Sequence, residues 1–172
     1  DTIFGKYNEK FLVAYDLHTG EPKWEKEIPE KVRLLGKDRQ GVYVSSRNAD
    51  GLFVLNPENG DYVQHYDVHS TPTDLTMTDD TLYFTLWDEG GSVVSQPKGS
   101  DDLKDRHWKV EKDCNEIVYD EGQLILTTRD SKHVIALDAS TGKELWRHEK
   151  QGEPTIRDYD LTDSHVVVGY RS

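Results

Sequence analysis

The strongest constraint on how this chain folds is an internal repeat of about 40 residues. Turn glycines mark the repeat: Gly20 ends "DLHTG", Gly60 ends "NPENG", Gly99 lies in "QPKGS" and Gly142 ends "DASTG". The intervals between them are 40, 39 and 43 residues. A period of this length predicts one supersecondary unit copied along the chain, with each copy burying its apolar face against the next copy.

Each unit reads as four short β-strands separated by polar turns. The last unit shows the order clearly, with the apolar runs "LILT" from residue 124 and "HVIAL" from 133, and the aromatic run "ELWRHE" from 144. No stretch keeps the 3.6-residue period of an amphipathic helix, so we expect almost no helix. The pattern predicts an all-β fold, a β-propeller of four-stranded antiparallel blades with about four repeats.

The whole chain is predicted to be a single propeller-type domain, residues 1–172. Its repeat units are expected at approximately 1–39, 40–79, 80–121 and 122–163, with a final strand at 165–171. The segment 99–108, "GSDDLKDRHW", is about five residues longer than its counterparts in the other units. We expect a loop insertion there, with room for a single helical turn.

Composition excludes several classes of protein. The net charge of −12 is spread along the chain and argues against a surface that tracks nucleic-acid phosphates. The single cysteine, Cys114, excludes a disulfide framework and a four-cysteine metal site. Hydrophobic residues are only 34% of the chain, but 4 Trp, 9 Tyr and 4 Phe can bury large areas, so the composition is not that of a disordered protein.

A nine-residue motif recurs at the turn glycines. Asp-x-x-Thr-Gly-x-x-x-Trp is matched fully by two units, at Asp16, Thr19, Gly20 and Trp24 and at Asp138, Thr141, Gly142 and Trp146. The second unit departs from it, with Asn56, Asn59, Gly60 and Gln64, and the third is degenerate, with Gly99 and a displaced Trp108. The motif resembles the tryptophan-docking repeat of the pyrroloquinoline-quinone-like propeller family. That family includes quinoprotein alcohol dehydrogenases, the scaffold lipoprotein of bacterial outer-membrane assembly and the luminal sensors of unfolded-protein-response kinases.

The motif also has a physical interpretation that does not depend on the family. The glycine is expected to take a positive φ in a tight turn. The Asp or Asn and the Thr can bond the backbone amides of the turn. The Trp presents a large face for packing one blade on the next, and a neighbouring turn carbonyl can accept its N–H. We therefore interpret the motif residues as structural and not as a ligand site.

The resemblance also bears on ring closure, because it implies that the motif turn joins the third and outermost strands of a blade. On that assignment the chain starts with a second strand at 2–7, continues with blades at 31–68, 72–111 and 115–149, and ends with an innermost strand at 154–161 and another second strand at 165–171. The last strand duplicates the first. We therefore expect an incomplete ring or a segment of a larger propeller, or a half that assembles with another chain or copy.

The candidate residues for chemistry form no catalytic constellation in the sequence. "SRNADG" at 46–51 superficially resembles a calcium loop, but Ser46 and Pro57 stand where an acidic ligand is needed. The four-residue spacing of His65 and His69 has no helix to place both on one face. Acidic neighbours disfavour the thiolate of Cys114. We expect no catalytic residue, no metal ligand and no cofactor.

The expected function is a non-catalytic protein-interaction or scaffold module, whose partner is another protein or a second copy that completes the ring. Two alternatives stay open. One is a fragment of a pyrroloquinoline-quinone-dependent dehydrogenase, and the other is a ligand- or misfolded-protein-sensing domain that dimerises through open blade edges. We expect neither a nucleic-acid partner nor a membrane-spanning segment. The resemblance favours a periplasmic, luminal or cell-surface location.

Overall fold

The structure is a computed structural model that describes residues 1–8, 10–28, 31–46, 49–88, 90–100, 102–149, 155–162 and 165–171. For the last two ranges it describes the backbone alone. Among the described residues no helix has the length and apolar character that a membrane crossing needs.

The described residues form short β-strands and one 3₁₀ turn, as the repeat predicts. The strands, in chain order, are β1 (Thr2–Tyr7), β2 (Phe11–Asp16), β3 (Pro22–Glu27), β4 (Val32–Lys37), β5 (Val42–Ser46), β6 (Ala49–Leu55), β7 (Tyr62–Tyr66), β8 (Pro72–Met77), β9 (Thr81–Leu86), β10 (Ser92–Pro97), β11 (Trp108–Glu111), β12 (Cys114–Asp120), β13 (Gln123–Thr128), β14 (His133–Asp138), β15 (Glu144–Glu149), β16 (Thr155–Thr162) and β17 (His165–Arg171).

Every sheet is an antiparallel meander of consecutive strands. Strands β4–β7, β8–β11 and β12–β15 form three four-stranded sheets, which we call blades 2, 3 and 4. They correspond to the blades expected at 31–68, 72–111 and 115–149. Strands β1–β3 form a three-stranded sheet, blade 1, and among the described strands β16 pairs only with β17. The all-β, propeller-type fold expected from the sequence is therefore confirmed.

The core lies between the blades. One apolar cluster joins blades 1 and 2, a second joins blades 2 and 3, and a third joins blades 3 and 4. The central strands are the most completely buried; every residue of Val42–Ser46 and of Thr81–Leu86 is buried. Burial on both faces explains why these strands read as continuous apolar runs instead of alternating ones. By contrast, every residue of β15, the outermost strand of blade 4, is exposed.

A β-bulge recurs at the start of the outermost strand. The pairing register shifts between Ala14 and Tyr15, between Val54 and Leu55, and between Ala136 and Leu137. The extra residues are Lys23, Val63 and Leu145, and each directly precedes the tryptophan position of its blade. A bulge bends its strand and re-aims the next side chain, so in blades 1, 2 and 4 this irregularity influences the direction of the side chain at that position.

The insertion at 99–108 forms the single helical turn that the sequence predicts, a 3₁₀ turn at Leu103–Asp105 capped by Asp102. The buried amide of Gln96 donates to the carbonyls of Ser100 and Asp102 at 3.0 and 3.2 Å, which ties the loop to β10. Trp108 still pairs with Ser95, as Trp24 pairs with Ala14. Trp108 is therefore displaced in sequence but not in the sheet.

The true counterpart of Asp16 in blade 3 is Pro97, not a residue counted back from Gly99. The next residue, Lys98, donates its N–H to Asp80, as Leu17 donates to Asp1 and Ala139 to Gly122. Positions 16, 56, 97 and 138 repeat at 40, 41 and 41 residues. The uneven glycine spacing came from using Gly99 as the marker.

Innermost strands are joined by bonds from side chains to backbone. The N–H of Ile117 on β12 donates to the Asp74 carboxylate on β8 at 2.9 Å, and that of Tyr119 donates to Thr76 Oγ1 at 3.1 Å. Burial raises the pKa of Asp74 above its ordinary value, although the hydrogen bonds from Ile117 and Leu75 partly oppose the rise. The link between blades 3 and 4 thus includes a carboxyl group that is costly to ionise.

Candidate interaction surfaces

The motif turns are built by side chains that accept from the turn backbone. Asp16 Oδ1 accepts from the N–H groups of His18 and Thr19 at 2.9 and 3.1 Å. These bonds lower the pKa of the Asp16 carboxyl. Asp138 accepts from Ser140 and Thr141, with the same effect on its pKa. The following glycine turns the chain with a positive φ, +73° at Gly20, +74° at Gly60 and +71° at Gly142.

Trp24 of blade 1 lies on the motif turn of blade 2. Its indole N–H donates to the carbonyl of Pro57 at 2.9 Å. A Cβ placed on Gly60 would lie 2.7 Å from the ring, so only glycine lets the indole approach this closely. Phe4 also packs against the indole, with ring centroids 5.7 Å apart.

Trp108 of blade 3 repeats this contact on the turn of blade 4. Its indole N–H donates to the carbonyl of Ala139 at 3.0 Å, and a Cβ on Gly142 would lie 2.8 Å from the ring. Pro57 and Ala139 occupy the same motif position, directly after Asn56 and Asp138. The indole hydrogen bond to a neighbouring turn carbonyl, expected from the sequence, is therefore present at two junctions.

The junction between blades 2 and 3 is made by other groups, since Gln64 stands at its tryptophan position. Tyr66 accepts a hydrogen bond from the N–H of Gly99 at 3.0 Å. Lys98, with a side chain only 7% exposed, forms an ion pair of 2.6 Å with Asp38 of blade 2. Burial would raise the pKa of Asp38, but the bonds from Lys98, Gln40 and Gly41 outweigh it and leave the pKa lowered. The repeat had marked Gly99, but no sequence pattern singled out Tyr66, Lys98 or Asp38.

Trp146 of blade 4 differs from the other two motif tryptophans. It is 40% exposed and lies beside Leu145, which is 52% exposed. In the part of the chain that the structure describes, its indole N–H makes no hydrogen bond and no motif turn packs against it. The bulge before Trp146 places it at the same register position as Trp24.

Among the described residues, no tryptophan packs on the motif turn of blade 1 that ends at Gly20. No described atom lies within 4 Å of a Cβ built on Gly20, and Leu17, the counterpart of Pro57 and Ala139, is 54% exposed. The turn is nonetheless fully formed, because Gly20 donates its N–H to the Asp16 carbonyl at 2.9 Å, as Gly60 does to Asn56.

The inner edge of blade 1 is open as well. Among the described strands β1 pairs with β2 alone, whereas the second strands of blades 2, 3 and 4 pair on both sides. Beside β1 runs a groove of about 470 Å³ whose apolar lining residues are Ile3, Phe4, Leu17, Leu34 and Leu35. Ile3 is 52% exposed. An unpaired strand beside apolar surface is a site for strand addition or association.

A second concave surface is cationic. A pocket of about 570 Å³ between blades 1, 2 and 3 is lined by Lys6, Lys31, Arg33 and Trp87, and its described lining includes no carboxylate. Trp87 is 53% exposed, and the guanidinium of Arg129 lies 4.3 Å from its ring centroid. The cationic lining contrasts with the net charge of −12 of the chain.

The candidate chemical groups are not brought together. Cys114 is buried, which raises its pKa to about 12 and keeps the thiol protonated. His65 stacks on Phe53 with centroids 4.4 Å apart, whereas the imidazole of His69 lies 3.0 Å from Asp67. Within the described ranges no group of three His, Cys, Asp or Glu side chains is placed to ligate a metal. The turn at 46–51 includes positions 47 and 48, which lie outside the described residues.

Two solved structures share this arrangement of blades. The computationally designed protein Ika8 matches with a TM-score of 0.78 at 14% identity, over 98% of this chain and 52% of its own. BamB from Moraxella catarrhalis matches with a TM-score of 0.73 at 12% identity, over 98% of this chain and 54% of its own. The chain thus spans about half the length of these proteins, and at such identities the likeness shows the fold alone.

Sequence comparison gives the family. No curated protein matches the chain significantly. Residues 73–169 match the family described as outer membrane protein assembly factor BamB, and this range is more than half of the 172 residues. The chain therefore belongs to the BamB family of PQQ-like β-propeller repeat proteins.

Proposed function

We propose that this chain is a non-catalytic protein-interaction or scaffold module, a single propeller-type domain over residues 1–172. The observation that supports this most directly is the open side of blade 1, where the unpaired edge of β1 runs beside the apolar groove. Family membership favours the same function. The repeat motif residues then act as scaffold, joining blades, and a protein segment binds at the open side.

Site-specific photo-crosslinking tests this function. A benzophenone amino acid replaces Ile3 in the groove, and a matched variant carries it at the exposed Glu121, remote from the groove. In the source cells we expect a defined protein adduct, identified by mass spectrometry, at position 3 and not at position 121. Leu17→Asp in the same background should remove the adduct. No adduct at position 3, or an identical set at both positions, contradicts an interaction surface there.

The enzymatic alternative, a quinoprotein dehydrogenase fragment, has its own test. Pyrroloquinoline quinone and Ca²⁺ are added to the chain, and the thermal midpoint and absorbance spectrum are recorded. We expect no shift and no retained chromophore after gel filtration. Stoichiometric quinone binding contradicts the non-catalytic proposal.

The cationic pocket favours a second candidate function, the sensing of acidic protein segments. Lys6, Lys31 and Arg33 supply charge, and Trp87 supplies an exposed aromatic face. An acidic fluorescent peptide should bind more tightly than its lysine-for-glutamate counterpart, and added salt or Arg33→Ala should weaken it. Equal binding of both peptides contradicts this candidate. A periplasmic, luminal or cell-surface location, tested by fractionation of the source cells, completes the proposal.

A further inference from the structure

Asn59 and Gly60, in the motif turn of blade 2, form the only Asn-Gly dipeptide of the chain. In such a dipeptide the glycine nitrogen can attack the side-chain Cγ of the asparagine, because glycine has no side chain to obstruct the approach. The other four asparagines precede Glu, Ala or Pro, and proline has no N–H to react. Asn59 is therefore the asparagine that its sequence context makes most prone to spontaneous deamidation.

The folded turn opposes this reaction by bonding both reacting groups. The N–H of Gly60 donates to the Asn56 carbonyl at 2.9 Å. The side-chain oxygen of Asn59 accepts from the N–H of Asp61 at 3.0 Å, and its Nδ2 donates to the Asp61 carboxylate at 2.9 Å. Attack requires these bonds to break, so the turn protects Asn59 even though its side chain is exposed.

The indole of Trp24, from blade 1, covers the same glycine. A Cβ on Gly60 would lie 2.7 Å from the ring, and the indole N–H donates to the Pro57 carbonyl of the same turn at 2.9 Å. The turn cannot rearrange around Gly60 without disturbing both contacts. Opening of the turn is therefore coupled to separation of blades 1 and 2.

We propose that Asn59 is a deamidation site controlled by this contact, protected while Trp24 lies on the turn and reactive when Trp24 leaves it. The Gly60 nitrogen attacks Cγ of Asn59, ammonia leaves, and a succinimide forms. Water then opens either carbonyl of the ring and yields aspartate or isoaspartate at position 59. Water is the only co-reactant, and nothing is oxidised or reduced. The site is independent of any partner that the chain binds.

Either product weakens the junction that protects Asn59. An aspartate at this position puts a carboxylate where the amide donates to Asp61, so an attraction becomes a repulsion between like charges. An isoaspartate adds a methylene group to the backbone of a turn that the Gly60 N–H closes. Trp24 then lacks the turn on which it packs. A transient separation of blades 1 and 2 is thereby converted into a covalent and lasting change.

The other motif turns supply an unreactive substitute for Asn59. Thr19 and Thr141 occupy the same motif position. Their hydroxyls accept from the backbone N–H two residues later, at 3.2 and 3.4 Å. Threonine thus makes the bond that the Asn59 oxygen makes, but it has no side-chain amide to lose. Asn59→Thr should therefore keep the junction intact and stay unmodified at position 59.

Timed incubation of the whole chain in mildly alkaline buffer, with and without urea, tests the proposal. Peptide mass spectrometry follows loss of the Asn59 amide, and enzymatic methylation detects isoaspartate. In native wild type we expect a rate at least about tenfold below that in urea, because only the open fraction reacts. Trp24→Ala should raise the native rate at least about tenfold, since it removes the ring that covers Gly60.

Trp108→Ala is the matched control. It removes the same kind of contact, on Gly142, from the junction between blades 3 and 4. Because that junction is remote from Asn59, the native rate at Asn59 should stay within about twofold of wild type. Circular dichroism establishes that each variant is folded. If Trp24→Ala does not fold, Trp24→Phe replaces it and should give a smaller acceleration, because phenylalanine retains most of the packing.

Three results overturn the proposal. Equal rates at Asn59 in the native and the urea-unfolded wild type would show that the turn gives no protection. Equal acceleration by Trp24→Ala and Trp108→Ala would show that global unfolding, and not the junction of blades 1 and 2, controls the reaction. An Asn59 amide that survives in urea would show that the position is not a deamidation site.

Discussion

Tyr66 accepts a hydrogen bond from the backbone N–H of Gly99 at 3.0 Å, across the junction whose tryptophan position holds Gln64. The hydroxyl reaches the turn of blade 3 from two residues further along the outermost strand. Together with the ion pair between Asp38 and Lys98, it links blades that no indole joins. Blade junctions in this chain thus have two chemistries, one aromatic and one polar, on the same backbone frame.

The first prediction compares two glycines that have nearly the same conformation. At φ of +73° and +74°, Gly20→Ala and Gly60→Ala both place an L side chain in the left-handed region, at a cost of about 1–2 kcal/mol. Only the Gly60 Cβ would also meet an indole, at 2.7 Å. We expect Gly60→Ala to lower the free energy of unfolding by about 1–3 kcal/mol more, measured by urea denaturation at protein concentrations where the chain is monomeric. Equal losses would show that the Trp24 contact contributes little.

The second prediction separates the packing of Trp24 from its hydrogen bond. Trp24→Ala should cost about 3 kcal/mol of unfolding free energy, because the indole fills the space between blades 1 and 2. Trp24→Phe keeps most of that packing and leaves the Pro57 carbonyl without its donor, so about 1 kcal/mol is expected. Gln64→Ala, at the matching register position of blade 2, should cost less than about 1 kcal/mol. A similar cost at positions 24 and 64 would contradict a special role for the indole.

The third prediction concerns the ion pair between Lys98 and Asp38. Lys98→Met should lower the unfolding free energy at pH 7 by about 2 kcal/mol, below the usual range for a buried pair because the Asp38 side chain is 21% exposed. The folded-state pKa of Asp38 is lowered, so its contribution is present above the ordinary value of 3.8 and is lost as the pH falls through the folded value. The difference between variant and wild type should therefore shrink at pH 2. Urea titrations at pH 7, 4 and 2 measure it, and a difference independent of pH would exclude an electrostatic origin.

The fourth prediction uses the raised pKa of Asp74. Asp74→Asn retains an acceptor for the Ile117 N–H and removes a buried charge, so it should leave the chain as stable or more stable at pH 7. A raised folded pKa means that the wild type gains stability as the pH falls from the folded value towards 3.8, and any advantage of the variant should vanish below that pH. Asp74→Ala removes the acceptor and should cost about 1–3 kcal/mol. If Asn is as destabilising as Ala, the carboxylate itself is required.

Much of the fold follows from short-range signals in the sequence. The turns ending at Gly20, Gly60 and Gly142, the alternating strands and the 3₁₀ turn in 99–108 are each set by neighbouring residues. Trp24 and the turn that it contacts lie about 33 residues apart. The contact could still be predicted from the sequence, because the same motif recurs in successive units that pack on one another.

The candidate surfaces were less accessible to sequence analysis. Tyr66 with Gly99, and Asp38 with Lys98, belong to different units at a junction where the motif is absent, so no repeat signal pairs them. The pairing of Trp108 with Ser95 could not be predicted from the motif spacing. The insertion lengthens the spacing between glycine and tryptophan, whereas the strand pairing stays the same as in the other blades. Which side of blade 1 stays open depends on strand pairing across the whole array, and not on any local pattern.

The indole contacts described above use a carbonyl oxygen and a glycine, so the side chain at the accepting position can vary; it is Pro57 in one contact and Ala139 in the other. A blade therefore does not identify its neighbour by that residue. A unit that carries both the tryptophan and the turn can therefore be duplicated without a new set of matching side chains at the joint. Evolution can lengthen or divide such an array without redesigning an interface each time.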